Sequence, residues 1–241
     1  SRAIRITSKE LQLFSSLFEE SSGSAIEARL PQIHSNELVS VLRRFETATS
    51  RLADLEGDWT GGVMFDETYA QRDGIITRQD DPSFQPAASE DFVLSGPHVF
   101  VGSAMSKSPN SKCTSSKAYG EVDPTSITEA FLPRAVFKPG NRRGDLAAFN
   151  DALPSWPGNE PSTNRFRHVN RRRCHTANER TLISAIIPRG TTAIHAALLL
   201  TFREHHDLIA FSGSTHSVPF DFLMKATGRV DILASNLRTL P

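Results

Sequence analysis

Residues 164–181 read Asn-Arg-Phe-Arg-His-Val-Asn-Arg-Arg-Arg-Cys-His-Thr-Ala-Asn-Glu-Arg-Thr, and no other stretch concentrates so much polar chemistry. Arg165, Arg167, Arg171, Arg172, Arg173 and Arg180 face a single acid, Glu179, with Asn164, Asn170 and Asn178 interleaved. A guanidinium fork matches the paired acceptors on a guanine edge, and an Asn amide matches an adenine edge. Each such contact discriminates between bases by roughly 1–3 kcal/mol. The same guanidinium binds phosphate oxygens, which positions a protein on a duplex without reading sequence. The pattern points to DNA, with Arg165, Arg167, Arg171, Arg172 and Arg173 on phosphates or bases and Asn164 and Asn170 on bases. Lys107 and Lys112, in a polar stretch that ends at Lys117, are expected to add phosphate contacts. Arg180 has a second reading: it opens an apolar run and can instead pair with a buried acid such as Glu67 or Asp221. The whole cluster has one too, as a partly exposed strand whose arginines pair with acids from elsewhere.

Catalytic chemistry is harder to find. The common metal-dependent nuclease site needs a carboxylate two positions before a lysine, and none of the six lysines has one. No Gly-rich strand–turn–helix fingerprint and no phosphate-cradling Gly-Lys-Ser/Thr loop occurs. No Pro-Pro pair exists to build the amine-holding stretch of an amino-methyltransferase. Cys174-His175 and His205-His206 are adjacent pairs, whose side chains diverge along a strand, and no ligand pair has zinc-finger spacing. Asp66, Glu67 and Glu179 are candidate general bases, or surface carboxylates. Ser95-Gly96-Pro97-His98 places a hydroxyl near an imidazole, as a nucleophile beside a base would, and equally as a tight turn with a capping hydroxyl would.

The elements that must position these residues alternate irregularly. Residues 3–7 alternate apolar and polar, as a short strand does. Thr7 with Glu10 three residues on reads as a capping box before a helix bearing Leu11, Phe14, Leu17 and Phe18. Ser35-Asn36 precedes a second amphipathic helix. Residues 63–68 and 74–77 look like a hairpin around Asp73-Gly74. Residues 80–90 form a loop or boundary. Phe92–Leu94 and Val99–Val101 read as strands, as do Leu182–Ile187, stopped by Pro188, and Ala196–Phe202. Residues 138–164 form a long irregular connection. His205–Ala226 reads as one long helix kinked at Pro219, and Leu233–Leu240 as a short amphipathic piece. The expected fold class is α+β (mixed α/β), a mixed sheet with flanking helices and a long C-terminal helix.

Charge divides the chain. Residues 1–95 carry 9 Lys and Arg against 16 Asp and Glu, and residues 96–241 carry 18 against 11. We expect an acidic N-terminal lobe or connector over 1–90 and a basic DNA-reading lobe over 91–241. The basic residues are 21 Arg and 6 Lys, a bias suited to phosphate and guanine. With 241 residues and 38% hydrophobic content, the chain is long and apolar enough for a packed core. No apolar run reaches the ~18 residues of a membrane span, so no membrane partner is expected. No signal peptide is expected, Ser1 in first place fits an excised fragment, and two cysteines suit a reduced cytoplasmic setting.

Several segments resemble one family. Trp59 with Met64-Phe65-Asp66-Glu67-Thr68-Tyr69-Ala70-Gln71-Arg72-Asp73-Gly74 is similar to a segment of large bacterial restriction–modification methylases. So is Leu94-Ser95-Gly96-Pro97-His98-Val99-Phe100-Val101-Gly102, followed by Lys107, Pro109, Cys113, Tyr119 and Phe131-Leu132-Pro133-Arg134. Arg172-Arg173-Cys174, with Ala177-Asn178-Glu179-Arg180-Thr181-Leu182-Ile183-Ser184-Ala185-Ile186-Ile187-Pro188, resembles a stretch after the catalytic domain of type II fused restriction–modification enzymes and related phage-defence methylases. Ser217-Val218-Pro219-Phe220-Asp221-Phe222, Gly228 and Leu240-Pro241 resemble the close of their target recognition domains, which are also similar to type I specificity subunits. The similar segments run collinearly over residues 55–241. Much of the family has an aromatic residue where Met105-Ser106 stands here.

The resemblance implies the DNA-reading part of an adenine-specific DNA methyltransferase, with double-stranded DNA and the parent's methyltransferase domain as partners. It implies no catalytic site and no cofactor within these residues. S-adenosylmethionine, and magnesium where the parent also cuts, belong to the parent's other domains. Two further readings stand beside it: a module that docks the methyltransferase domain through residues 1–95, and a nuclease with an unfamiliar metal site built from Asp66, Glu67 and His98.

Overall fold

The Thr7 hydroxyl accepts the Lys9 N–H, and the Glu10 carboxylate reaches back to the Thr7 N–H at 2.9 Å. This reciprocal cap satisfies donors that the first turn leaves orphaned, and it starts the first helix where the sequence places it. In the computed structural model of the chain, the described residues are 3–19, 24–48, 50–79, 84–100, 103–115, 117–140, 155–156, 160–175 and 177–241. Their helices are α1 (Ser8–Phe18), α2 (Asn36–Glu46), α3 (Glu67–Arg72), α4 (His205–His216), α5 (Val218–Ala226) and α6 (Ala234–Leu237). Their strands are β1 (Trp59–Val63), β2 (Ile76–Arg78), β3 (Val93–Leu94), β4 (Lys107–Pro109), β5 (Tyr119–Glu121), β6 (Phe137–Pro139), β7 (Ser155–Trp156), β8 (Glu160–Pro161), β9 (Arg167–Arg171), β10 (Ser184–Ile187), β11 (Thr192–Ala193) and β12 (Ala197–Phe202). The fold is α+β. None of the described helices is long and apolar enough to cross a membrane.

The main sheet is antiparallel, in the order β1-β12-β9-β10. β12 is Ala-Leu-Leu-Leu-Thr-Phe and buried throughout, because both faces of the sheet are covered. Strand side chains alternate between faces. Leu198, Leu200 and Phe202 join an apolar cluster with α1, α2, α4, α5 and α6, through Phe14, Leu42, Leu208, Met224 and Leu237. Ala197 and Leu199 join another on the opposite face, with Phe92, Leu94, Val99, Ala135 and Val169. Small two-stranded pairs, β2–β6, β3–β11 and β4–β5, surround the main sheet.

The charge boundary near residue 90 is not a boundary of packing. β1, from the acidic half, pairs with β12 from Trp59↔Phe202 to Val63↔Leu198. Leu13, Phe14, Leu17, Val39 and Leu52 share one cluster with Leu198 to Leu240 of the basic half.

Four local expectations are corrected. Residues 3–7 form no strand. The expected Asp73-Gly74 hairpin is instead helix α3: Asp66 Oδ1 accepts the N–H groups of Thr68 and Tyr69 at 3.0 Å each, which nucleates a turn. Gly74, at φ +73°, then ends that helix in the left-handed region, and β2 pairs with the distant β6. Of the expected strand at 99–101, Val99 instead closes a 3-10 turn over Gly96–Val99 and Phe100 is in no strand. The long helix 205–226 is two helices, broken at extended Ser217: Pro219 lacks an N–H and sits in the first turn of α5, whose cap is the Ser217 hydroxyl. Val101, residues 80–83 of the expected loop, and residues 141–154 and 157–159 of the long connection lie outside the described residues.

Candidate nucleic-acid interface

β9 carries most of the arginine cluster, and its place in the sheet decides what each residue can touch. Of the five residues of β9 only Val169 is a strong strand former, and Asn170 is a poor one. Here a strand forms because β10 and β12 hydrogen-bond to it on both sides. Arg167, Val169 and Arg171 fall on one face, His168 and Asn170 on the other. Arg167 is fully buried, its guanidinium bonded to the Thr191 carbonyl and 3.7 Å from Met64 Sδ. Asn170 is equally buried, its Nδ2 donating to the Arg171 carbonyl at 2.7 Å. The expectation that Arg167 and Asn170 touch DNA is therefore corrected: an internal strand covered on both faces offers a duplex neither side chain. His168 on the helix side meets Ser212 Oγ at 3.0 Å and stacks edge-on to Phe211.

Arg171 is different, because it stands at the end of the strand. Its guanidinium lies 5.8 Å from the ring centre of exposed Phe100, and Lys107 Nζ lies 4.2 Å from the same ring. Two expected DNA contacts, one from β4 and one from β9, thus meet on one aromatic residue. Cations favour the negative face of a ring, at about 0.5–1 kcal/mol for exposed pairs. Partial burial pulls the Arg171 pKa below its ordinary value. Sequence reading missed Phe100, which follows the Ser95–His98 turn. No local signal marked it, because the sequence has no Lys or Arg between Arg78 and Lys107 and the two cations reach the ring only through the fold.

The remaining arginines hold to acids and carbonyls. Arg172 and Arg173 converge on Asp231, at 3.8 and 3.2 Å. Arg173 remains largely exposed, at 73% of its side chain. Arg165 pairs with Glu160 at 3.1 Å and donates to the Arg203 carbonyl at 2.7 Å. Arg180 takes its structural alternative, 3.3 Å from Asp221 and within hydrogen-bond reach of the Thr215 and His216 carbonyls. Lys112 and Asn164 are exposed.

No protein-family model matches the chain, and no curated protein matches it.

The catalytic candidates are committed to structure. The Ser95 N–H donates to His98 Nδ1 at 3.0 Å, so the ring proton sits on Nε2 and is donated to the Arg134 carbonyl at 2.9 Å. Tyr119 shares a 2.8 Å hydrogen bond with the Ser95 hydroxyl, which itself lies 3.1 Å from His98 Nδ1. Burial holds His98 neutral, its pKa pushed down to about 4, and pushes Tyr119 up to about 12. An imidazole whose acceptor nitrogen is already occupied is poorly placed to deprotonate a nucleophile, and Ser95 acts as the cap of a tight turn. Asp66 caps α3, as described above. The proposed Asp66, Glu67 and His98 metal trio is thus not assembled: among the described residues, no three His, Cys, Asp or Glu side chains are placed to hold an ion.

Proposed function

We propose that this chain reads double-stranded DNA, as the target recognition region of a type II restriction–modification adenine methyltransferase. The observation that carries the reading is the exposed Phe100 ring with Lys107 at 4.2 Å and Arg171 at 5.8 Å. Two cations gathered on one rim fit successive phosphates, and the ring between them suits a sugar or base edge. Arg173 extends the basic surface from the next turn of chain, and Lys112 and Asn164 add exposed polar groups. The collinear motif resemblance supports the same reading and names the partner, the methyltransferase domain of the parent chain. Adenine methylation and its S-adenosylmethionine belong to that domain, in the cytoplasm of a prokaryote.

The test is binding of the protein to a randomised duplex pool across a salt series. Each phosphate contact releases counterions, so affinity falls linearly on a log–log plot. Salt-sensitive binding with a shared motif in the selected duplexes is the expected result. Absence of binding at every salt concentration overturns the reading and favours the docking module.

A further inference from the structure

A cavity of about 230 Å³ lies beside the Ser95–His98 turn, lined by Pro97, Val136, Phe137 and Ile194 as apolar walls and by Glu67, Arg78, Ser95 and Tyr119 as polar ones. Its volume is below the roughly 300–1,000 Å³ of pockets for drug-sized ligands, which suits a single flat heterocycle rather than a nucleotide. The polar wall has a defined order. Glu67 and Arg78 approach only to 3.7 Å, longer than a hydrogen bond. Both are part-exposed, and among the described residues the Glu67 carboxylate accepts no hydrogen bond. Arg78 is steadied over the Phe137 ring, 5.5 Å from its centre. A carboxylate next to a guanidinium is complementary to a ligand edge with N–H donors beside a carbonyl.

We propose that this cavity binds a guanine-type base, with its ring N–H and exocyclic amine on Glu67 and its carbonyl on Arg78. Carboxylates accept from exocyclic amines, and arginine donates to the guanine carbonyl edge. The alternatives fit less well. An adenine edge sets a lone-pair nitrogen beside its amine, which the carboxylate repels. A uracil edge has one N–H between two carbonyls, one of which would face Glu67. The base arrives either free or extruded from a duplex, as enzymes acting on DNA extrude bases. Only the second source rests on the DNA-reading proposal.

The probe is 9-methylguanine, titrated into the full chain by calorimetry, with 9-methyladenine and 1-methyluracil as comparators. We expect saturable binding of 9-methylguanine at least tenfold tighter than of either comparator. Glu67→Gln keeps the shape and removes the charge, and is expected to weaken it at least tenfold with the unfolding midpoint unchanged. Ile194→Phe narrows the cavity and is expected to abolish binding. No binding to the folded wild-type chain, equal binding of 9-methyladenine, or full binding by Glu67→Gln overturns the proposal. The source follows from competition. A duplex with guanine opposite an abasic site displaces the probe if the base comes on DNA, and leaves it bound if the base is free. Salt-dependent binding of fully paired duplex is read separately, so its loss overturns the DNA-reading proposal and leaves the cavity standing.

Discussion

Arg180 Nε lies 3.3 Å from Asp221 Oδ1, and that same oxygen accepts the backbone N–H groups of Thr181 and Leu182 at 2.7 Å each. One buried carboxylate on α5 therefore fixes the start of the chain entering β10. Removing it leaves two buried backbone donors unsatisfied and takes the counter-charge from the Arg180 guanidinium, which keeps the Thr215 and His216 carbonyls, a loss of about 3 kcal/mol. Asp221→Ala is expected to lower the urea midpoint accordingly. Asp221→Asn keeps an acceptor oxygen, and its cost is expected nearer 1 kcal/mol. Equal midpoints for Asp221→Ala and wild type would refute this role.

Arg167 yields a prediction of opposite sign. It is the largest fully buried side chain, burial pulls its pKa down to about 10, and among the described residues no acid pairs with it. Its Nε has no hydrogen-bond partner. A buried charge without a partner costs free energy that an apolar side chain of similar length does not. Arg167→Met is expected to hold or raise the thermal midpoint and to leave duplex affinity unchanged. A fall in affinity with the fold intact would return Arg167 to the interface.

Local signals were legible where one residue decides the outcome. Thr7 with Glu10, Ser35 before α2, Pro188 after β10 and the apolar run of β12 all appear in the structure near where the sequence puts them. The long-range choices were not. Asp73-Gly74 is a good hairpin turn, but the Asp66 cap upstream won the competition and made a helix. Burial of Arg167 and Asn170 depends on the neighbours β10 and β12, which spacing does not reveal. The pairing of Lys107 with Arg171 through Phe100 depends on the tertiary fold, so sequence could nominate the two cations and not the ring between them. Arg180 was legible as either a DNA contact or the partner of a buried acid, and only the fold chose Asp221.

Two buried imidazoles set an acid limit on stability. Burial holds His98 at about 4, and burial together with nearby His216 holds His168 at about 3. Unfolded, both titrate near 6.5. Between those values the unfolded chain binds more protons, so stability rises with pH. It is complete above about pH 6.5 and is lost as pH falls toward 4, with His98 contributing on the order of 3 kcal/mol. Urea titrations from pH 7 to 4 are expected to show this fall, and His98→Gln with His168→Gln to flatten it. An unchanged slope in the double variant would refute it.

The Phe100 stack predicts a graded effect on duplex binding. Lys107→Gln and Arg171→Gln are each expected to weaken binding across sequences and reduce the salt slope by about 1. Phe100→Ala keeps both charges, so it is expected to lower affinity with the slope nearly unchanged. The comparison separates the ring's contribution from that of the cations. A Phe100→Ala variant with the wild-type affinity would show that the ring merely covers apolar surface.

Asp231 limits the neighbouring arginines, and its removal carries the most direct electrostatic test. Its carboxylate meets Arg173 at 3.2 Å and Arg172 at 3.8 Å, and Arg172 also lies 3.4 Å from the His195 carbonyl. A duplex that approaches this rim sees two cations partly neutralised by one acid. The Arg173 pair is exposed and contributes at most about 1 kcal/mol to the fold. Asp231→Asn is nearly isosteric and releases positive charge toward the surface. Duplex affinity is expected to rise severalfold at low salt, with a steeper salt slope, and the gain to disappear in an Asp231→Asn, Arg173→Gln double variant. If Asp231→Asn leaves affinity unchanged in a folded protein, Arg172 and Arg173 face away from the DNA and the interface shrinks to the Phe100 stack.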